Sequence, residues 1–163
     1  MIWDPPKTPC LDEAMTSISR RLSRLGGDPR RLEPLEQTIV AVHGAQGVID
    51  NGGFRYFFEN DWPGRPPYSF FSKAYRRIGA ARAAQRIEQA VASLPYRRPH
   101  LAARGRNRFM NGLAEDDPFF ALDREVCGDV TIWAKLERFV EKNRAGLTRR
   151  PLRATRQKPT LKK

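Results

Sequence analysis

Residues 33–60, EPLEQTIVAVHGAQGVIDNGGFRYFFEN, hold a helix and the turn that ends it. Apolar side chains recur every three or four residues along the first half, as they do on one buried helix face. They are Leu35, Ile39, Val42, Ala45 or Gln46, and Ile49. Asn51-Gly52-Gly53 favours the left-handed backbone that ends helices. We therefore predict a helix from Glu33-Pro34 to this turn, then one or two helical turns in the aromatic segment 54–58.

The same spacing recurs elsewhere in the chain, with Pro, Gly or Asp near most of its ends. These segments are 9–25, 69–78, 80–94, 118–126 and 130–145. No segment alternates apolar and polar residues as a half-buried strand would. The sequence therefore predicts an all-α fold, a single compact multi-helix domain of about six helices. We place this domain in residues 1–148 and a disordered basic tail in residues 149–163.

The positive charge of the chain is unevenly distributed. Seven cations and no acid lie in residues 149–163, and residues 95–116, predicted to be a long basic connection, hold a second group. A positive field attracts polyanions, so the sequence predicts binding of an acidic protein or of nucleic acid. The candidate residues are Arg97, Arg98, Arg104, Arg106, Arg108, Arg149, Arg150, Arg153, Arg156 and Lys158. The alternative that the tail only aids solubility stays open.

The stretch from Gly47 to Asn60 resembles the signature of a bacterial domain family named after the C-terminal domain of a DNA-mimic protein. In that family a helix ends in Asn-Gly-Gly-Phe, and a Tyr-Phe pair and an Asn follow. Ala74 to Val91 is similar to the family's second block, and Leu122 to Asn143 to its C-terminal part. The resemblance covers residues 33–145.

This resemblance implies an all-helical fold and, for most members, no assigned function. The best-known relative is an acidic dimer that imitates DNA and so occupies DNA-binding proteins. A chain with a net charge of +12 does not present a phosphate-like negative surface, so we carry over the fold and not the mimicry. Homodimerisation stays open.

The signature itself has two interpretations. Its residues are Asn51, Gly52, Gly53, Phe54, Tyr56 and Asn60. In the favoured interpretation the residues are structural. The Asn-Gly-Gly segment caps the helix, the phenylalanine lies in the core, and the asparagine side chains bond to local backbone. In the other, consecutive glycines expose amide groups to an anionic ligand.

Catalysis and membrane insertion have no support in the sequence. No phosphate-binding loop, dinucleotide fingerprint, nucleophile elbow or metalloprotease motif is present, and neither the His nor the Cys residues have metal-ligand spacing. No apolar run approaches the ~18 residues of a membrane span, and the N-terminus lacks the pattern of a signal peptide. We expect no cofactor, no metal, no membrane contact and a cytoplasmic location.

The predicted function is therefore non-enzymatic binding of a macromolecule, with an acidic protein as the favoured partner. The alternative is nonspecific nucleic-acid binding through the tail and the 97–108 loop. The function that the sequence favours least is that of a small hydrolase or transferase with a pocket at Asn51, Tyr56 and Asn60.

Overall fold

The structure, a computed structural model, describes residues 9–148, which contain seven α-helices and three short 3-10 turns. The α-helices are α1 (Pro9–Arg24), α2 (Pro34–Glu59), α3 (Ser69–Arg77), α4 (Ala81–Ala92), α5 (Ala103–Gly112), α6 (Val130–Lys142) and α7 (Arg144–Thr148). The 3-10 turns are Pro29–Arg31, Pro99–Leu101 and Pro118–Ala121. No strand occurs within residues 9–148, and the predicted all-α class is confirmed. The predicted disorder of the tail concerns residues outside the described range.

The long helix α2 lies at the centre of the fold, and α1, α3, α5 and α6 all pack against it. It begins where the sequence predicted. Pro34 takes the first position, where no amide donor is needed, and the Glu33 amide donates to the Glu36 carboxylate at 3.3 Å in a capping box. Most of the predicted stripe is buried, including Ile39, Val42 and Ile49, whereas Leu35 is half-buried. Each such burial stabilises the fold by about 1.5–3 kcal/mol.

The aromatic segment after Gly53 forms the densest part of the core. The Phe57 ring lies 5.0 Å from Phe58, 5.4 Å from Tyr68 and 5.3 Å from Phe71, measured between ring centroids. Most of these rings meet edge to face or tilted, which their quadrupoles favour. This cluster fixes α3 and the 60–68 segment against the second half of α2.

A chain of buried polar groups ties α2 to α3 and α6. The Tyr75 hydroxyl donates to Gln46 Oε1 at 2.8 Å, and Gln46 Nε2 donates to Asp50 Oδ1 at 2.7 Å. The other Asp50 oxygen accepts from the Trp133 indole at 2.9 Å. Gln46 Nε2 also donates to the Val126 carbonyl at 2.9 Å. Polar groups in a core must be paired in this way, so the network fixes the relative positions of three helices.

Two predictions from the sequence are wrong, one of a connection and one of a helix. Residues 95–116 are not an unstructured connection, because they contain Pro99–Leu101 and α5. The buried face of α5 is formed by Arg106 and Met110. Because arginine is not apolar, this face does not produce the apolar periodicity from which helices are predicted. Residues 118–126 form a 3-10 turn followed by hydrogen-bonded turns instead of a helix. There the Asp123 side chain bonds to α2, and its carbonyl accepts from Val126 and Cys127.

Most predicted helix ends are confirmed. Gly26 and Gly79 have the left-handed φ expected after α1 and α3, at 75° and 82°. Asp129 caps α6, since its Oδ1 accepts from the Thr131 amide at 2.9 Å. None of the helices in residues 9–148 combines the length and the apolar character needed to cross a membrane.

Replacing Tyr75 with Phe tests the polar network. The variant leaves Gln46 Oε1 buried without its donor, so we expect the free energy of unfolding to fall by about 1–3 kcal/mol in urea titrations. Tyr96→Phe is the control, because the half-buried Tyr96 hydroxyl donates only to the Gly105 carbonyl. It should cost about 1 kcal/mol or less. Equal effects of the two variants would contradict a special role for the network.

Candidate functional site

The signature segment is a break in α2. Gly53 has φ 61° and ψ −160°, a conformation essentially restricted to glycine. After it a second helical stretch begins, and the amide of Phe54 donates to Asp123 Oδ2 at 2.9 Å. A Cβ on Gly53 would collide with that carboxylate. The cap of this second stretch therefore comes from a residue far along the chain.

The other signature residues surround this break. Asn51 donates to the Gly47 carbonyl at 2.7 Å, and the Tyr56 ring lies where a Cβ on Gly52 would be. Phe54 is fully buried, whereas Tyr56 is 53% exposed. The backbone amide of Asn60 donates to the Tyr56 carbonyl. Asn51, Tyr56 and Asn60 thus bond to or pack on nearby backbone, which is the geometry of a helix break.

The segment that carries Asp123 is held from its other side by Glu125. Arg86 binds both Glu125 oxygens, at 2.8 and 2.9 Å, and Arg82 binds one at 2.7 Å. These hydrogen bonds lower the pKa of Glu125 to about 2, and the bond from Arg86 has the largest effect. Burial raises the pKa of Asp123 against the opposing effect of the Phe54 amide. Burial likewise raises the pKa of the neighbouring Cys127, so its thiol is not activated as a nucleophile.

Four of the five candidate arginines of residues 97–108 are exposed. We call Arg97, Arg98, Arg104 and Arg108 the arginine surface. None of the four has a carboxylate within ion-pair distance in the described part of the chain. Arg104 and Arg108 are four residues apart on the exposed side of α5. Leu101, in the turn before α5, is 50% exposed.

Arg106 does not belong to this surface, and its prediction as a binding residue is wrong. It is 1% exposed. Its guanidinium donates to the carbonyls of Phe58 at 2.7 Å, Pro99 at 2.6 Å and Asn60 at 3.3 Å. The last carbonyls of a helix lack partners within the helix and attract a cation, so Arg106 closes the end of α2. Its spacing of four residues from Met110 is the one sequence feature that indicates an inward position.

His100 lies among these cations. Burial is the largest of the effects that lower the pKa of His100, and the charges of Arg98, Arg106 and Arg30 lower it further. His100 is therefore neutral at neutral pH and adds nothing to the positive charge of the arginine surface.

A second cationic surface lies between α3 and α6, where the sequence analysis assigned no site. Its groove has a volume of about 320 Å³. The lining consists of Arg77, Ile78, Gly79, Lys135, Arg138, Phe139 and Lys142, and we call it the basic groove. The sequence signal is the spacing of Lys135, Arg138 and Lys142 along one face of α6.

The remaining predicted site residues are Arg149, Arg150, Arg153, Arg156 and Lys158, and they lie outside the described residues. Within residues 9–148 no group of three or more His, Cys, Asp or Glu side chains could hold a metal ion. His43 packs edge-on against Trp133 with 5.5 Å between ring centroids. Burial lowers the pKa of His43.

Comparison with known proteins yields one match. A family model described as DMP19-like protein matches residues 30–143. This range agrees with the resemblance seen in residues 33–145 and confirms it. No curated protein and no solved structure matches the chain.

Gly53→Ala tests the break in α2. A side chain there meets the Asp123 carboxylate and takes an unfavourable backbone conformation, so we expect a loss of about 1–3 kcal/mol in the free energy of unfolding. Gly47→Ala is the matched control, because Gly47 is helical and nothing lies within 4 Å of its added Cβ. The control should be neutral or stabilising by up to about 1 kcal/mol. Similar losses in both variants would refute the proposed geometry.

Glu125→Gln tests the support of the Asp123 segment. The pKa of Glu125 is about 2 in the folded chain and ordinarily 4.5. A carboxyl group with a lowered pKa stabilises the fold above its ordinary pKa, and this contribution is lost as pH falls through the folded value. We therefore expect Glu125→Gln to be less stable at neutral pH. The difference should shrink between pH about 4.5 and about 2. Urea titrations across this range measure it, and a difference that does not change with pH would contradict the assignment.

Proposed function

The chain belongs to the DMP19-like protein family, and from that premise we propose that it is a non-enzymatic domain that binds an acidic protein through the arginine surface. The observation that carries the proposal is the exposure of Arg97, Arg98, Arg104 and Arg108 without an ion pair in the described residues.

Several other arginines of the domain already pair with a carboxylate. Arg76 pairs with Glu88 at 2.6 Å, and Arg82 and Arg86 pair with Glu125. Such cations offer little to a partner, since an incoming acid would have to displace an existing one. The arginine surface carries no such cost, and complementary charge speeds and orients association. An acidic surface is therefore the complement that this face favours.

Leu101 favours a protein over nucleic acid as the partner. It is a half-exposed apolar side chain within the segment that carries the four arginines. Arginine is enriched in protein interfaces, whose centres are apolar. A phosphate backbone offers little to an exposed leucine.

The charge of this chain also separates its proposed role from DNA mimicry. A DNA mimic presents negative charge to proteins that bind DNA, whereas this chain has a net charge of +12. The proposed partner is therefore acidic.

Nonspecific nucleic-acid binding is the second candidate function. It is favoured by the seven cations without an acid in residues 149–163, among them Arg149, Arg150 and Lys158. Binding through phosphates would weaken steeply with salt and would not depend on Leu101.

Charge reversal on α5 tests the proposal. The full-length chain, Arg104→Glu/Arg108→Glu and Leu101→Ser would be titrated against a labelled copolymer of Glu and Tyr and against a labelled random-sequence DNA duplex. We expect the reversal to weaken copolymer binding by about tenfold or more, and Leu101→Ser to weaken copolymer but not duplex binding. Fluorescence anisotropy at low and physiological salt gives both affinities.

Arg20→Glu/Arg24→Glu is the matched control, because these arginines are also exposed and four residues apart, on α1. An equal effect of this control would show that net charge alone drives binding, which contradicts a specific surface. A duplex bound more tightly than the copolymer, with no effect of Leu101→Ser on either, would establish the nucleic-acid function instead. Absence of any binding at physiological salt would refute both.

A further inference from the structure

We propose that the basic groove between α3 and α6 is a second binding site, which takes an extended acidic segment of a partner protein together with one apolar side chain of that segment. The site is separate from the arginine surface, and the inference goes beyond the function proposed for that surface.

The charges that line the groove all have one sign. Arg77 comes from the end of α3, and Lys135, Arg138 and Lys142 come from one face of α6. No Asp or Glu of residues 9–148 lies within ion-pair distance of any of the four. Arg77 makes one hydrogen bond, to the Thr38 hydroxyl at 3.2 Å. An anion that entered the groove would therefore meet cations that no acid neutralises.

The acids of α6 lie on a different side of the helix. Glu137 accepts a hydrogen bond from the Leu11 amide of α1 at 3.1 Å. Glu137 and Glu141 both raise the pKa of Cys10 on α1, after the larger effect of burial. Glu137 thus contacts α1, and within residues 9–148 neither acid forms an ion pair with a cation of the groove.

Helix stability explains only part of this arrangement. Cations in the last turn of a helix interact favourably with its dipole, which accounts for Arg77 and Lys142. Lys135 and Arg138 lie earlier in α6 and gain little from the dipole. Arg138 and Lys142 are four residues apart, a spacing at which like charges destabilise a helix.

The spacing of the cations fits an extended chain. Four residues of α6 rise by about 6 Å, which separates Arg138 from Lys142 along the helix axis. Alternate residues of an extended segment, whose side chains point the same way, are about 6.6 Å apart. Two acids at alternate positions would therefore reach both cations.

The floor of the groove is apolar. Ile78 is buried, Phe139 is partly buried, and no atom lies within 4 Å of the position that a Cβ on Gly79 would take. A volume of about 320 Å³ lies at the lower end of the range of ligand pockets and accommodates a few side chains. An apolar residue at the next alternate position, whose side chain points the same way as the two acids, would cover this floor.

These features favour a protein segment over nucleic acid. Single-stranded nucleic acid binds where bases stack on exposed aromatic rings, and Phe139, the one aromatic residue of the lining, is partly buried. A concave groove also suits a single chain better than a duplex. The occupant that combines negative charge with an apolar side chain is an acidic peptide segment.

Anisotropy of a labelled peptide tests the inference. The probe alternates Glu and Ser and has Leu in place of the central Glu, so that the Leu side chain points the same way as the acids, and a second peptide has Ser in place of Leu. We expect Arg138→Glu/Lys142→Glu in the full-length chain to weaken binding of the first peptide by about tenfold or more. The Leu-free peptide should bind the unchanged chain several-fold more weakly. Arg20→Glu/Arg24→Glu should change the affinity by less than about twofold.

The outcomes separate this site from the arginine surface. Loss of peptide binding only with Arg104→Glu/Arg108→Glu would overturn the groove and leave the proposed function standing. Loss only with the groove variant would support the groove as a site separate from the arginine surface, which the copolymer titration tests independently. Arg138→Gln/Lys142→Gln should show a smaller loss in the same direction, and far-ultraviolet circular dichroism of each variant checks that it is folded.

Two other results would overturn the choice of occupant. One is a single-stranded oligonucleotide that binds more tightly than the peptide and is equally sensitive to the groove variant. The other is self-association of the unchanged chain in sedimentation that the groove variant abolishes, since the occupant would then be a second copy of this chain.

Discussion

The carboxylate of Asp123 accepts a hydrogen bond from the Phe54 amide and caps the helical stretch that follows the break at Gly53. Without this cap the first amides after the break would lack partners in the core. The cap sets the direction of residues 54–59, and so places Phe57 and Phe58 among the core aromatics. The same hydrogen bond fixes the turn segment between Pro118–Ala121 and α6, because Asp123 lies within it.

Both candidate binding surfaces depend on this arrangement. The second half of α2 ends at carbonyls that Arg106 binds, and Arg106 fixes α5, from which Arg104 and Arg108 project. The segment after Asp123 leads into α6, whose start is held by the Asp50 bond to the Trp133 indole. Lys135 and Arg138 follow within the same helix. A core hydrogen bond and a buried network thus determine where exposed cations lie.

The helices could be predicted from the sequence because apolar periodicity and glycine or proline ends are local signals. The line of Ile39, Val42 and Ile49 and the break at Gly53 are examples. The cap from Asp123 could not be predicted, since the chain separates it from Phe54 by 69 positions. α5 was missed because its buried face contains Arg106 in place of an apolar residue.

The candidate site was predicted only in part, for a related reason. Composition indicates where cations are abundant, and it led to Arg97, Arg98, Arg104 and Arg108, but it does not show which cations are buried. The basic groove needs the end of α3 to lie near α6, which no local pattern reveals. Its spacing on α6 was visible in the sequence, although an exposed charged helix face commonly has the same pattern.

Native-state hydrogen exchange of Asp123→Ala, compared with the unchanged chain, tests the central claim most directly. If the Asp123 carboxylate caps the second half of α2, protection of the Phe54 amide should fall to the level of an unbonded amide. Protection of the following amides through Phe58, and of α5, should fall with it. Unchanged protection at Phe54 together with unchanged protection in α5 would contradict the account, because the helix break would then hold its geometry without the carboxylate.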